Sequence, residues 1–220
     1  MPEGVAALAT LPLARLYANT ALFASCTVAA QLATSAPAAY AFARLRFAGR
    51  DRVFALVVAL LTVPTIALVV PRFLMVDALG WVDTYPGLIA TELVSVGGIF
   101  LLRQFFLTLP RELEDAARLD GAGEWRIFWR VALPLSRPAL VTLGVLAFAE
   151  QWRSFLWPLV VMRAADHQVI EVGLAQLHGL YYGHWPFQLA VAGAAALPMT
   201  LLYAVAQRRF VRGIEWAVPR

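Results

Sequence analysis

Few of the 220 residues are of types that do chemistry, and the missing types decide as much as those present. All 18 basic residues are arginine. Without lysine the chain has no Schiff-base nucleophile and no residue to reach phosphates from a P-loop. No G-x-S-x-G elbow and no H-E-x-x-H zinc site occurs. His167, His178 and His184 share one loop at spacings that match no zinc motif, so no metal site is expected. The single cysteine, Cys26, lies in an apolar run and is expected to be a small buried hydrophobe. The expectation is a protein that is not an enzyme.

Five polar residues within apolar stretches are useful in another way. Gln31, Glu92, Glu150, Gln151 and Arg153 could line a path, because polar groups inside spans usually face a cavity or a partner. Glu150, Gln151 and Arg153 would then stand near its outer end. Glu150 and Arg153, at i and i+3, serve equally well as a simple pair or as interfacial residues.

The densest pattern lies in residues 110–135. Pro110 suits the first position of a helix, Leu113, Ala116 and Ala117 share one face, and Glu114 and Arg118 form a favourable i,i+4 pair. Asp120-Gly121 is turn chemistry, since glycine accepts the positive φ that ends a helix. Trp125, Phe128, Trp129 and Ala132 then recur at helical spacing until Pro134, which is expected to end the second helix. On periodicity alone such a segment equally suits a helix lying in a membrane interface.

The elements that must position these residues are membrane spans. The chain is 61% hydrophobic and 15% charged, and its mean hydropathy is +0.70, which points to a bilayer. A crossing helix needs about 20 mostly apolar residues. Segments 17–42, 53–74, 87–108, 138–162 and 187–207 meet that need, giving an all-α polytopic helix bundle of about five spans. The first run is too long for a signal-peptide core and lacks a preceding basic region. Pro64 and Pro71 are expected to kink or end the second span. Gly97, Gly98 and the small residues from Ala190 to Ala196 should permit close helix packing.

The alternating connections differ sharply in arginine. One side holds Arg44, Arg46, Arg50 and Arg52, then Arg103 through Arg137, then Arg208, Arg209, Arg212 and Arg220; the other holds Arg15, Arg72, Arg153 and Arg163. The positive-inside rule makes the first side cytoplasmic, with the carboxyl terminus inside and the amino terminus outside. Arginines in short clusters between apolar runs also argue against a nucleic-acid partner, despite the basic balance. No repeat or linker divides the chain, so residues 1–220 are expected to form a single transmembrane domain.

The order Asp115-Ala116-Ala117, three residues, Gly121, nine residues, then Val131, Leu133 and Pro134 resembles the EAA loop of ABC importer permeases. The family's leading glutamate is Asp115 here, one methylene shorter, with Glu114 immediately before it. "YANTALFASCTVAAQLATSAPAAYAFARLRFAGR", "FLLRQFFLTLPRELEDAARLDGAGEWRIFWRVALPL", "FLWPLVVM" and "QRRFVRG" resemble maltose-type sugar permease subunits, so the likeness covers nearly the whole chain.

The resemblance implies a permease subunit of a binding-protein-dependent importer for sugars or related small solutes, in a bacterial or archaeal cytoplasmic membrane. The 110–135 loop would be the coupling helix that docks on a cytoplasmic ATPase through Glu114, Asp115, Ala116, Ala117, Asp120, Gly121, Val131, Leu133 and Pro134. A second permease subunit, identical or different, two ATPase subunits and an extracytoplasmic solute-binding protein would complete the assembly. ATP and Mg would bind the ATPase, and no cofactor this chain. The family usually has one span more, so its amino-terminal span is expected to be missing. Relatives often carry Trp-Asn where Trp152-Arg153 stands, so no sugar contact is carried over to Arg153. A stand-alone carrier or channel is the alternative.

Overall fold

The structure, a computed structural model, describes residues 12–180 and 185–214, with the side chains of 177–180, 187 and 205–214 outside that description. His178, His184, Arg208, Arg209, Arg212 and Arg220, named above, therefore fall outside the described side chains. Every described element is helical.

Helix α1 (Leu13–Arg44) continues through 32 residues despite Pro37. It is the one described helix long and apolar enough to cross a bilayer by itself. Thr20 and Thr34 return their hydroxyls to Leu16 O and Ala30 O, which satisfies these polar groups inside an apolar helix. Arg44 closes its last turn, where a cation complements the helix dipole.

Beyond α1 the expected spans are more broken than their apolar runs suggest. Helix α2 (Arg50–Ala59) passes through a 3-10 turn and stops at Val63-Pro64. Another 3-10 turn leads into α3 (Val69–Ala78), and the two halves are bent by 94°. Pro64 breaks the segment as expected, while Pro71 sits in the first turn of α3, where its missing N–H costs little.

The 87–108 segment is not one helix but two, α4 (Tyr85–Ala90) and α5 (Val96–Thr108). Thr84 Oγ1 accepts from Gly87 N at the start of α4, and inside the segment Ser95 Oγ accepts from Gly98 N, which caps α5 as a separate helix. After α6 (Arg111–Leu119) comes α7 (Glu124–Leu135), which meets α8 (Arg137–Trp152) at 74°. The 138–162 segment is likewise split, into α8 and α9 (Leu156–Val161). Helices α10 (Ile170–Leu180) and α11 (Trp185–Ile214) follow, the latter containing the 187–207 segment. The described helices thus supply one clear span, or three if each bent pair counts as one.

The chain forms two compact units, each drawn from separated stretches, with α1, α8 and α11 contributing to both. One takes the chain through Thr27, Leu68–Glu92 and Ala147–Gln207; the other takes Val28–Ala67, Leu93–Leu146 and Arg208–Arg220. The core of the first gathers Phe23, Val76, Leu88, Trp157, Val161 and Met162. Its packed stripe on α1 runs through Phe23, Ala24 and Thr27, leaving Cys26 exposed rather than buried as expected.

In the second unit Tyr40, Leu102, Phe106, Phe128 and Leu143 form the core. Gly98 permits close approach there, since an added Cβ would lie 3.1 Å from both Leu143 and Ser35. Gly97 has no neighbour within 4 Å of a Cβ and does not share that role.

Candidate functional site

Residues 110–135, all in the second unit, fold as two short helices joined by a sharp turn. Helix α6 begins after Pro110, which stands just before the first turn as its N-cap. Its carboxyl end is a Schellman motif: Gly121 N donates to Arg118 O at 3.0 Å and Ala122 N to Ala117 O at 3.0 Å. Gly121 has φ +79, as the Asp120-Gly121 pair predicts. A side chain there would be strained by the backbone angle alone, since nothing lies within 4 Å of an added Cβ.

The two helices are clasped by one arginine. Arg118 donates Nε to Glu124 Oε1 at 2.8 Å and Nη1 to Asp115 Oδ1 at 2.7 Å, while Nη2 stands 3.5 Å from Glu114 Oε2. Its hydrogen bonds hold the Glu124 carboxyl below the usual glutamate range, and they push the guanidinium further up. Tyr40 adds a bond to Glu124 from α1 at 3.3 Å. Arg44, Arg46 and Arg111 join these acids in lining a cleft of about 590 Å³.

The face that α6 hides is not its apolar one. Leu113 and Ala116 are exposed and Ala117 half-buried, whereas Glu114 is 3% exposed. Arg44 explains this: its Nε lies 2.9 Å from Glu114 Oε1 with both side chains buried. The N–H is not aligned on the oxygen, so charge rather than a well-formed hydrogen bond holds the pair. Asp115, Asp120 and Gly121 remain exposed, and Leu119 at the tip is 90% exposed.

Helix α7 departs from the expected pattern in its middle. Phe128–Ala132 is a π-helical turn, with Leu133 N reaching Phe128 O. The widened turn precedes Pro134, which has no N–H to continue the ordinary ladder. The helix therefore runs past Pro134 and stops at Ser136. Ile127, Phe128 and Ala132 are buried, while Trp125 and Trp129 are exposed, so half of the expected apolar face turns outward. Val131, Leu133 and Pro134 are half-buried.

Four of the five candidate path residues, Glu92, Glu150, Gln151 and Arg153, lie in the first unit. Glu92 is an ion-pair partner of Arg72, whose guanidinium also donates to Thr91 O at 2.9 Å and lies over Trp157. Gln151 is buried and Glu150 exposed; Arg153 is exposed and turns Nε to Ala149 O at 3.2 Å, with no ion pair to Glu150. Gln31 is buried and belongs to the other unit.

The first unit instead carries a loop pair that the sequence did not reveal. Asp83, at φ +62, accepts from Arg163 N and Ala164 N at 3.0 Å each, and His167 Nδ1 lies 3.4 Å away. These bonds, Ala164 N–H first, hold the Asp83 carboxyl below its ordinary range. Buried Asn19 completes the tie: its Nδ2 donates to Asp166 O at 2.8 Å and Gln168 O at 2.9 Å, and its Oδ1 accepts from Tyr85 at 2.7 Å. Arg44 and Glu124, the main missed members of the clasp, gave one local signal each: a cation at a helix end and an acid in a first turn.

The chain is similar to known proteins. Residues 34–216 match the family model described as binding-protein-dependent transport system inner membrane component. The chain is 35% identical over 198 residues to the arabinooligosaccharides transport system permease protein AraQ of Halalkalibacterium halodurans, covering 90% of this chain and 71% of that one. It is 33% identical over 216 residues to the sn-glycerol-3-phosphate transport system permease protein UgpE of Agrobacterium fabrum, covering 97% and 77%. A chain from the crystal structure of a bacterial ABC transporter involved in the import of the acidic polysaccharide alginate superposes with a TM-score of 0.81 at 28% identity, covering 94% and 79%. With the clasped helix pair at its centre, the chain belongs to the binding-protein-dependent transport system inner membrane components, and it is a permease subunit of an ABC importer.

Proposed function

We propose that this subunit carries a polyhydroxylated solute, a sugar or a small relative of one, and that the α6–α7 pair is the lever through which an ATPase drives it. An exposed helical knob held rigid by Arg118 and the Gly121 turn is the observation that carries this reading. A knob of that kind passes on motion as a rigid body instead of bending. Small Ala116 and exposed Leu119 allow a partner to approach closely, and Asp115 offers it a charge.

In this reading ATP and Mg belong to two cytoplasmic ATPase subunits, a second permease subunit completes the path, and a binding protein delivers solute from outside. The residues 110–135 face the cytoplasm with the carboxyl terminus, and five spans separate the two sides. Glu150, Gln151 and Arg153 stand near the outer end of the path, with Gln31 and Glu92 as further candidates. The solute class follows the relatives, whose names span arabinooligosaccharides and sn-glycerol-3-phosphate.

Gly121→Trp tests the lever. The variant should lose co-purification of the ATPase subunits while keeping the second permease subunit. Unchanged ATPase recovery overturns the lever, and nucleotide-free uptake by this chain alone in liposomes overturns the importer reading.

A further inference from the structure

Arg44 and Glu114 stand apart from the other ion pairs. Their side chains are 3% and 4% exposed, whereas Arg72–Glu92, Arg118–Asp115 and Arg15–Asp166 each leave one partner at least 23% exposed. Burying two charges sacrifices much of their hydration, so such a pair adds little net stability; its use lies in specifying one geometry. The geometry here is a junction. Arg44 ends the spanning helix α1, Glu114 lies in the docking helix α6, and Arg44 Nη2 donates to Leu109 O at 2.6 Å. Leu109 is the C-cap of α5 and adjoins Pro110, the N-cap of α6. One guanidinium therefore grips the end of α1, the end of α5 and the body of α6.

We propose that Arg44 is a positioning residue for energy coupling: its buried pair with Glu114 ties the docking helix to α1 and α5, so that displacement of α6 moves both. This rests on the lever reading and adds the route by which motion leaves the knob. The second oxygen of Glu114 extends the route, since it faces Arg118 at 3.5 Å, and Arg118 clasps Glu124 on α7. Without the pair, α6 keeps its own hydrogen bonds and its clasp to α7 but loses its charged hold on α1. A push from a partner would then be absorbed at the Leu109-Pro110 connection. Motion is carried between sites by such contiguous charged and packed contacts.

The test uses the reconstituted importer with its permease partner, ATPase subunits and binding protein, measuring ATPase recovery and solute imported per ATP hydrolysed. Because Glu114 is buried against Arg44 and so is not presented to the ATPase as the resemblance implied, Glu114→Gln should retain the ATPase subunits and hydrolyse ATP, with import per ATP lowered about tenfold. The exchange Arg44→Glu with Glu114→Arg should restore the ratio to within about threefold of the parent. A parental ratio in Glu114→Gln overturns the proposal while leaving the lever intact. If Glu114→Gln does not assemble, the exchange decides: assembly with coupling supports the junction, and assembly without coupling overturns it. Failure of α6 to crosslink to the ATPase in the parent complex would instead overturn the lever, and the junction with it.

Discussion

The loop pair around Asp83 and Asn19 and the clasp around Arg118 are both polar ties between separated segments, yet they are built from opposite materials. The loop pair uses short side chains aimed at backbone atoms, with Asn19 buried among three partners. The clasp uses a long guanidinium, 37% exposed, against carboxylates on two helices. Directed bonds to backbone fix loop shape with little slack and little sensitivity to salt. Charged clasps at an exposed surface are individually weak, and they leave a knob that is firm and yet free to be taken by a partner. The difference suits one region that must hold its form and another that must be grasped.

Two glycines break the comparison most sharply. A Cβ on Gly87 would lie 2.1 Å from Trp81 O, so Gly87→Ala forces backbone apart in the loop-pair unit. Its cost is expected to be about 3 kcal/mol, read as a lowered thermal midpoint of the purified subunit. Asn19→Leu comes next, because it strips partners from Tyr85 OH and from two carbonyls at once. It should cost about 2 kcal/mol and speed amide exchange across 163–170, while exchange in 111–135 stays unchanged.

How much of this was legible differs by region. The two short helices, the Gly121 turn and the Pro64 break were readable because proline, glycine and helical spacing act locally. The Arg44–Glu114 pair was not, since an arginine closing an apolar run looks like any span end and nothing local points to α6. Leu113, Trp125 and Trp129 were legible only as a face, for a related reason: apolar periodicity marks a face to be covered but does not say whether this chain or another covers it. The cut at Ser95 was hidden because spans apolar all round give no periodic signal where one helix stops. The Asp83 loop pair depends on contacts between distant loops and left no pattern in sequence at all.

Gly121→Ala is the smaller glycine effect and the more informative. With open space around it, the substitution strains only the left-handed backbone, at about 1 kcal/mol. The global midpoint should hardly move, yet proteolysis between α6 and α7 should quicken. Equal damage from Gly87→Ala and Gly121→Ala would mean that the knob is as tightly built as the loop pair, and the contrast would fail.

The finest test sets the two carboxylates against each other. Glu124 and Asp83 both have depressed folded-state values, so each contributes stability that is present above its unfolded value and lost as pH falls through the folded one. Both ties should therefore loosen only below the ordinary carboxylate range. Their causes differ: Glu124 is held down first by hydrogen bonds from Arg118, a cation at a partly exposed surface that adds its charge, and Asp83 first by the Ala164 backbone N–H, with His167 a lesser cause. In about 1 M salt, where the Debye length is about 3 Å, screening should weaken the charge and spare the dipole. Carboxylate titration in nanodiscs at low and high salt should show Glu124 moving up further than Asp83, which faces only His167 as a charge. If Asp83 moves as far as Glu124, backbone direction is not what distinguishes the loop pair.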